Sequence, residues 1–170
     1  MPLRTDRLVL EPVSHDHDDD LLRARLASRA ELLPWMPWAV DVTVDTQMAY
    51  ADRAVRGWDK ADLYHFAITE DGVAIGVIGV DRQGDAEFEI HYWLRTDRTG
   101  RGYVSESALT LLAWARDTAG ARRIVLNAGM ENRRSLAVAD RLGFTRDGVL
   151  EGGMHGGLGR FPAYTHHLEL

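Results

Sequence analysis

Cysteine is absent from this 170-residue chain, so it can build no disulfide framework, no thiolate metal site and no cysteine nucleophile. Nothing in it calls for an oxidising compartment. No apolar run reaches the length of a membrane span, and none is expected to cross a bilayer. The first residues, Met1 to Arg7, lack the apolar core of a secretory signal, so export is not expected and the cytoplasm is the compartment expected. A basic excess is also missing: the formal net charge is -6, which argues against a nucleic-acid backbone as partner and favours cationic or amine-bearing ones. Repeats and low-complexity linkers are absent as well. What remains, 45% hydrophobic and 27% charged residues, is the composition of a soluble globular protein, and the length suits one domain, 1–170.

Within that chain the apolar period changes from segment to segment, the mark of a mixed α/β pattern. "RLVLEPV" (7–13) reads as a strand, and "SHDHDDD" (14–20) crowds acids before the helical "LLRARLASRAELL", where they suit the positive end of a helix dipole. That polar run reads as a solvated helix cap and not as a metal site; no metal is expected. In 43–60, Met48, Ala51, Val55 and Trp58 fall at helical spacing, and the helix is expected to end near Gly57. "LYHFAIT" and "VAIGVIGVD" flank Glu70-Asp71-Gly72, a hairpin signal. "AEFEIHYWL" (86–94) alternates, with Glu87, Glu89 and His91 on one face and Phe88, Ile90 and Tyr92 on the other. Then follow a glycine-rich loop, a helix with Leu109, Leu112 and Trp114, the strand "RRIVLN", the helix "NRRSLAVADRLGF" stopped by Gly143, the strand "TRDGVLEGG" and the last strand "YTHHLEL". The fold expected is α/β with a mixed, mostly antiparallel sheet.

The loop "RTGRGYVSES" carries the chemistry. A glycine-rich turn that opens a helix lets backbone N–H groups converge with the helix dipole, forming an anion cradle to which Arg101 adds formal charge. The alternative is a tight strand-to-helix turn with an exposed arginine. A phosphate-binding Walker loop would need a lysine followed by Ser or Thr, and a dinucleotide fingerprint three spaced glycines after a first strand; neither is present.

Strand "HYWL", the loop "RTGRGYVSES", strand "IVLNAG" and helix "NRRSLAVADRLGF", in this order and spacing, resemble the GNAT superfamily of N-acetyltransferases, and within it the ribosomal-protein N-terminal acetyltransferases of the RimJ/RimL-like branch. "LRTDRLVLEPV" at the start is similar to that branch too. The resemblance implies a GNAT fold, with a splayed central strand pair flanked by helices, and acetyl-CoA as acyl donor. It implies that Thr99, Gly100, Arg101, Gly102, Tyr103, Val104 and Ser105 hold the pyrophosphate, with the helix starting at Ser105. It further implies that backbone groups of Tyr92, Trp93 and Leu94 pair with the pantetheine arm, that Asn127 and Asn132 hydrogen-bond it, and that Ser135 serves the departing thiolate. Read by themselves, Tyr92 and Trp93 also suit core aromatics, Asn127 a strand end, Asn132 a helix N-cap, and Ser135 a first-turn serine. The chain departs from the family's pattern at Thr99, where Arg or Gln is usual and the neighbouring Arg98 could substitute, and at Val104, where Gly or Ala is usual.

Direct acetyl transfer needs a neutral amine, a polarised thioester carbonyl and a proton acceptor. An α-amine of pKa ~7.7–8.0 is partly neutral at pH 7, whereas a lysine near ~10.4 is about 0.04% neutral. Glu89 and His91 are the candidate proton acceptors and the Leu94 N–H the candidate donor to the carbonyl oxygen. The branch's usual Glu after the last-but-one strand is missing, with Glu151 and His155 out of register. Trp35 and Trp38 in "LLPWMPW" border the expected acceptor site or simply cover the core. "GGMHGGLG" lines that site, lines a dimer contact or is a mobile loop. The function expected is acetylation of a primary amine, most simply a protein or peptide N-terminus, by a cytoplasmic and often dimeric enzyme. The alternatives are a small-molecule acceptor (an aminoglycoside, a polyamine or an amino-acid-like toxin) and a non-catalytic acyl-CoA-binding module.

Overall fold

The computed structural model describes residues 1–170. Ten strands and four helices follow one another: β1 (Leu3–Arg4), β2 (Val9–Pro12), α1 (Asp18–Leu32), α2 (Val44–Lys60), β3 (Leu63–Glu70), β4 (Val73–Arg82), β5 (Glu87–Leu94), α3 (Tyr103–Trp114), β6 (Arg123–Gly129), α4 (Arg133–Leu142), β7 (Thr145–Val149), β8 (Met154–Gly156), β9 (Gly159–Phe161) and β10 (Ala163–Glu169). Eight strands form one sheet in the order β1-β2-β3-β4-β5-β6-β10-β7, and β8 and β9 pair as a separate hairpin. Every pairing in the large sheet is antiparallel except β5 with β6.

Local chemistry accounts for the boundaries. Asp71 and Gly72 both take positive φ between β3 and β4, the backbone that a two-residue hairpin turn requires. The Thr43 side chain accepts from the Thr46 N–H at 3.2 Å and caps α2. The acids Asp18, Asp19 and Asp20 lie inside the first turn of α1 rather than before it. The sheet separates two cores. One gathers Phe66, Ile78, Phe88 and Ile90 of the strands with Ala108, Leu111 and Leu112 of α3 and Ala139 of α4. The other places Leu21 and Ala24 of α1 and Ala51 and Ala54 of α2 on Ala67, Val77 and Trp93.

Three further boundaries differ from the expectation. The helix α2 runs through Gly57 to Lys60; Gly57 is a contact glycine, since a Cβ there would lie 2.4 Å from Leu63 Cβ. Its buried face is Gln47, Ala51, Ala54 and Gly57, leaving Met48 and Val55 exposed. Gln47 can be buried because it accepts from Arg25 (2.9 Å) and donates to Asp18 (2.9 Å). The helix α3 starts at Tyr103, two residues before Ser105, and β7 stops at Val149, where a turn with Gly152 and Gly153 at positive φ takes over.

Candidate active site

The parallel pairing of β5 with β6 covers only Glu87 to Glu89 against Arg123 to Val125, and beyond it the two strands part. On its other side β5 stays in register with β4. The Gln83 N–H donates to the Glu87 carbonyl (2.9 Å) and the Arg95 N–H to the Ile75 carbonyl (2.8 Å), so the odd-numbered residues of β5 exchange hydrogen bonds with β4. The backbone of Trp93 is therefore committed to β4, while the N–H and C=O groups of Tyr92 and Leu94 face the gap. That gap is an unpaired strand edge inside the molecule, fit to take an extended, amide-bearing ligand.

At one end of the gap lies the glycine loop. Gly100 and Gly102 take φ of +78° and +80°, a conformation costly for other residues. No backbone hydrogen bond within the chain uses the N–H of Gly100, Arg101 or Gly102, and the first turn of α3 adds the unpaired N–H groups of Tyr103, Val104 and Ser105. The Ser105 hydroxyl accepts from Arg141 of α4 at 2.7 Å, closing the cradle with a cation that the sequence did not single out. Arg101 is half exposed beside it. Arg98 is engaged elsewhere: its Nε holds Glu70 at 2.8 Å, so it does not stand in for a longer side chain at Thr99. The Glu70 carboxyl also accepts from Tyr103, and these contacts with the nearby Arg101 hold it below the usual carboxylate range. Val104 packs on the main core while it lines the cleft.

A cavity of about 860 Å³ runs from this cradle through the gap to the opposite side of the sheet. Above the gap, the Tyr92 hydroxyl meets Ser135 Oγ at 2.7 Å, and burial pushes the Tyr92 phenol up to about 12. Asn132 caps α4, its side chain accepting from the Ser135 N–H at 3.1 Å, and also lines the cavity. Asn127 faces the other side of the sheet. Its Nδ2 donates to Glu89 Oε1 at 2.8 Å, which leaves its Oδ1 buried without a partner.

The far end is aromatic. Trp38 lies against Trp93 (5.3 Å between rings) and under Arg25 (4.4 Å), and Trp35 meets Phe161 edge to face at 5.4 Å. Phe161 belongs to the β8–β9 hairpin, which is the glycine-dense segment. It is seated on the loop after α1, where the Gly157 N–H donates to the Leu33 carbonyl at 2.8 Å and a Cβ on Gly156 would lie 2.0 Å from the Pro34 carbonyl oxygen. His155 of this hairpin lines the cavity, whereas Glu151 is exposed in the preceding turn and does not.

Of the two expected proton acceptors, His91 lines the cavity and Glu89 does not. Behind His91 stands a group the sequence reading missed. Asp81 Oδ2 is 3.4 Å from His91 Nε2, its Oδ1 is 2.6 Å from His65 Nε2, and His65 Nδ1 is 3.1 Å from the Tyr50 hydroxyl. Burial raises the Asp81 carboxyl, but the hydrogen bond from His65 and the charges of His65, His91 and Arg53 more than reverse this and hold it below the ordinary aspartate value. The "HF" of β3 and the "GVD" of β4 gave no spacing signal, because these residues meet only across the sheet.

The sequence profile of the acetyltransferase (GNAT) domain matches residues 7–145. YdaF of Bacillus subtilis (strain 168), provisionally named a ribosomal N-acetyltransferase, is 30% identical over 118 residues, 65% of this chain and 60% of that protein, so the match spans less than two thirds of that relative. The ribosomal-protein-serine acetyltransferase of Escherichia coli (strain K12) is 27% identical over 86% of this chain and 84% of its own. In three dimensions the chain is similar to the microcin C7 self-immunity acetyltransferase MccE, solved with acetyl-CoA and AMP, at a TM-score of 0.90 and 18% identity over 97% of this chain and 93% of that one. With the profile covering most of the sheet, the cradle and the helix α4 that borders the gap, the chain belongs to the GNAT acetyltransferase family.

Proposed function

We propose that this chain acts as a single domain that uses acetyl-CoA to acetylate a primary amine, with a protein or peptide N-terminal α-amine as the acceptor. The observation that carries the reading is the continuous path from the anion cradle, along the unpaired backbone of Tyr92 and Leu94, to the aromatic cavity lined by His91. The residues fit the donor: free N–H groups of the glycine loop for its pyrophosphate, and an open strand edge for the amides of its arm. When bound, acetyl-CoA supplies the thioester-activated acetyl group.

The Leu94 N–H donates toward the thioester carbonyl oxygen, an interaction whose value rises as negative charge develops there. His91 takes the proton of the amine, in preference to Glu89, which Asn127 holds outside the cavity. Ser135 and Tyr92 keep their protons throughout the physiological range; with Tyr92 donating to Ser135 Oγ, the Ser135 hydroxyl is free to donate to the departing sulfur. Trp35 and Trp38 wall the acceptor end.

The E. coli relative's action on ribosomal-protein serine supports the α-amine assignment. A small-molecule acceptor is the second reading, favoured by the edge-to-face Trp35–Phe161 wall, which suits a flat ring, and by the AMP bound to MccE. The homodimer belongs to the same proposal and is checked by sedimentation. The decisive test is thermal stability with and without acetyl-CoA, followed by CoA release read with a thiol-reactive dye, for which a cysteine-free chain gives no background. At 100 times Kd, acetyl-CoA is expected to add ~2.7 kcal/mol, a rise of roughly 5–10 °C. Peptides with free N-termini are then expected to accelerate CoA release. Binding without turnover on any amine would leave only an acyl-CoA-binding module.

A further inference from the structure

Gly79 lies on the central strand β4, directly opposite His65 of β3 and His91 of β5. A Cβ at position 79 would lie 2.4 Å from His65 Cδ2, so the missing side chain is what lets the His65 ring lie across β4. Asp81, two residues on and on the same face, then has an imidazole on either side. The His65 contact is close and buried, at 2.6 Å with the ring 6% exposed; the His91 contact is looser, at 3.4 Å, and His91 is 43% exposed in the cavity.

The protonation pattern follows from these distances. An ionised Asp81 only accepts, so His65 donates from Nε2; the Nδ1 of a neutral His65 then accepts from the Tyr50 hydroxyl. This chain of bonds fixes the Asp81 carboxylate from behind, with Oδ2 turned to His91. At 3.4 Å the His91 contact is one of charge to ring rather than a formed hydrogen bond; the carboxylate charge favours the neutral tautomer with its proton on Nε2, the nearer nitrogen, and leaves Nδ1 bare on the side away from Asp81. The other ionisable groups about this wall are Glu89 on β5, Tyr50 and Arg53 of α2, and His155 of the β8–β9 hairpin; Glu89 is held by Asn127 and Gln83 and His155 by Arg160.

We infer that Asp81, braced by His65 and Tyr50 across Gly79, is the positioning residue that holds His91 with Nδ1 free to take the proton of the acceptor amine. The inference rests on the reading of His91 as proton acceptor. The step balances: one N–H bond of the acceptor ammonium breaks and its proton bonds to Nδ1; the freed electron pair bonds the acetyl carbon as the carbon–sulfur bond breaks; the second proton that the nitrogen loses ends on the departing sulfur, giving the thiol; and the imidazolium faces Asp81 until it passes its proton to solvent through the open cavity.

Two measurements on the full chain test it. In the wild type, ring-nitrogen NMR of His91 at a pH where the ring is neutral is expected to show the Nε2–H form, and Asp81→Asn is expected to abolish that preference. With a peptide α-amine as acceptor, Asp81→Asn is expected to lower kcat at pH 7 roughly tenfold while leaving the KM for acetyl-CoA unchanged. The deficit should shrink toward pH 9, where an amine of pKa ~7.7–8.0 is already neutral. An Nδ1–H form in the wild type overturns the inference even if Asp81→Asn does not fold, and so does a variant whose tautomer or kcat is unchanged. A wild type that turns over no amine sinks the acetyltransferase reading itself, and this role with it; normal wild-type turnover with an indifferent Asp81→Asn sinks the positioning role alone.

Discussion

Tyr92 and Ser135 share a hydrogen bond over the gap between β5 and β6, which leaves one hydroxyl proton free for the transfer to sulfur proposed above. Ser135→Ala is expected to lower kcat roughly 10- to 100-fold with little change in the KM for acetyl-CoA, as steady-state kinetics at saturating donor would show. Gly102→Glu acts on the cradle instead. It forces a side chain into left-handed backbone at a cost of about 1–2 kcal/mol and sets a carboxylate among N–H groups aimed at phosphate. Its own melting temperature should fall, and acetyl-CoA should no longer raise it. Both residues could be marked from the sequence, since N-x-x-S and the glycine loop are local patterns. Asp81 could not: its partners His65 and His91 come from different strands, and only the register of β3, β4 and β5 brings them together.

The β8–β9 hairpin shows how an element can be misread when composition is the only guide. Its glycines suggest a mobile loop among other readings, yet Gly156 and Gly157 are there because the chain passes against Leu33 and Pro34 too closely for a Cβ. Gly156→Val is expected to displace the hairpin and with it Phe161 and His155. The KM for the amine should then rise several-fold while the melting shift with acetyl-CoA, which depends on the other end of the cavity, is preserved. In α2 the helical period was legible but its phase was not: Gln47, satisfied by Arg25 and Asp18, is buried while the more apolar Met48 is exposed. Apolar periodicity assumes that burial follows hydrophobicity, and a paired buried amide breaks that assumption.

Across the whole molecule, several carboxyls are held below their ordinary range. Glu70 is lowered by Tyr103, then by Arg98 and Arg101; Asp81 by His65, His91 and Arg53 against the pull of burial; and Glu106 by Thr5 and Arg7, again against burial. A carboxyl whose folded pKa lies below its unfolded value stabilises the fold above the unfolded value and loses that contribution as pH falls through the folded one. His166 is lowered by burial, so protonation of the unfolded chain opposes folding already below pH ~6.5. The melting temperature is therefore expected to decline gently below about pH 6.5 and steeply below about pH 4, a profile that thermal scans would check. By itself the sequence determined the family, through four motifs in a set order, and marked the glycine loop, the main helices and strands and the alternation of β5, because these are written in neighbouring residues: a glycine at a turn, a period of two, a cap at a helix start. Only the tertiary structure decided that Trp93 bonds back to β4 while Tyr92 and Leu94 open to the gap, that Glu89 is tied to Asn127, and that Asp81 stands behind His91. Those facts depend on strand register and on contacts between residues far apart in the chain, which no local pattern encodes.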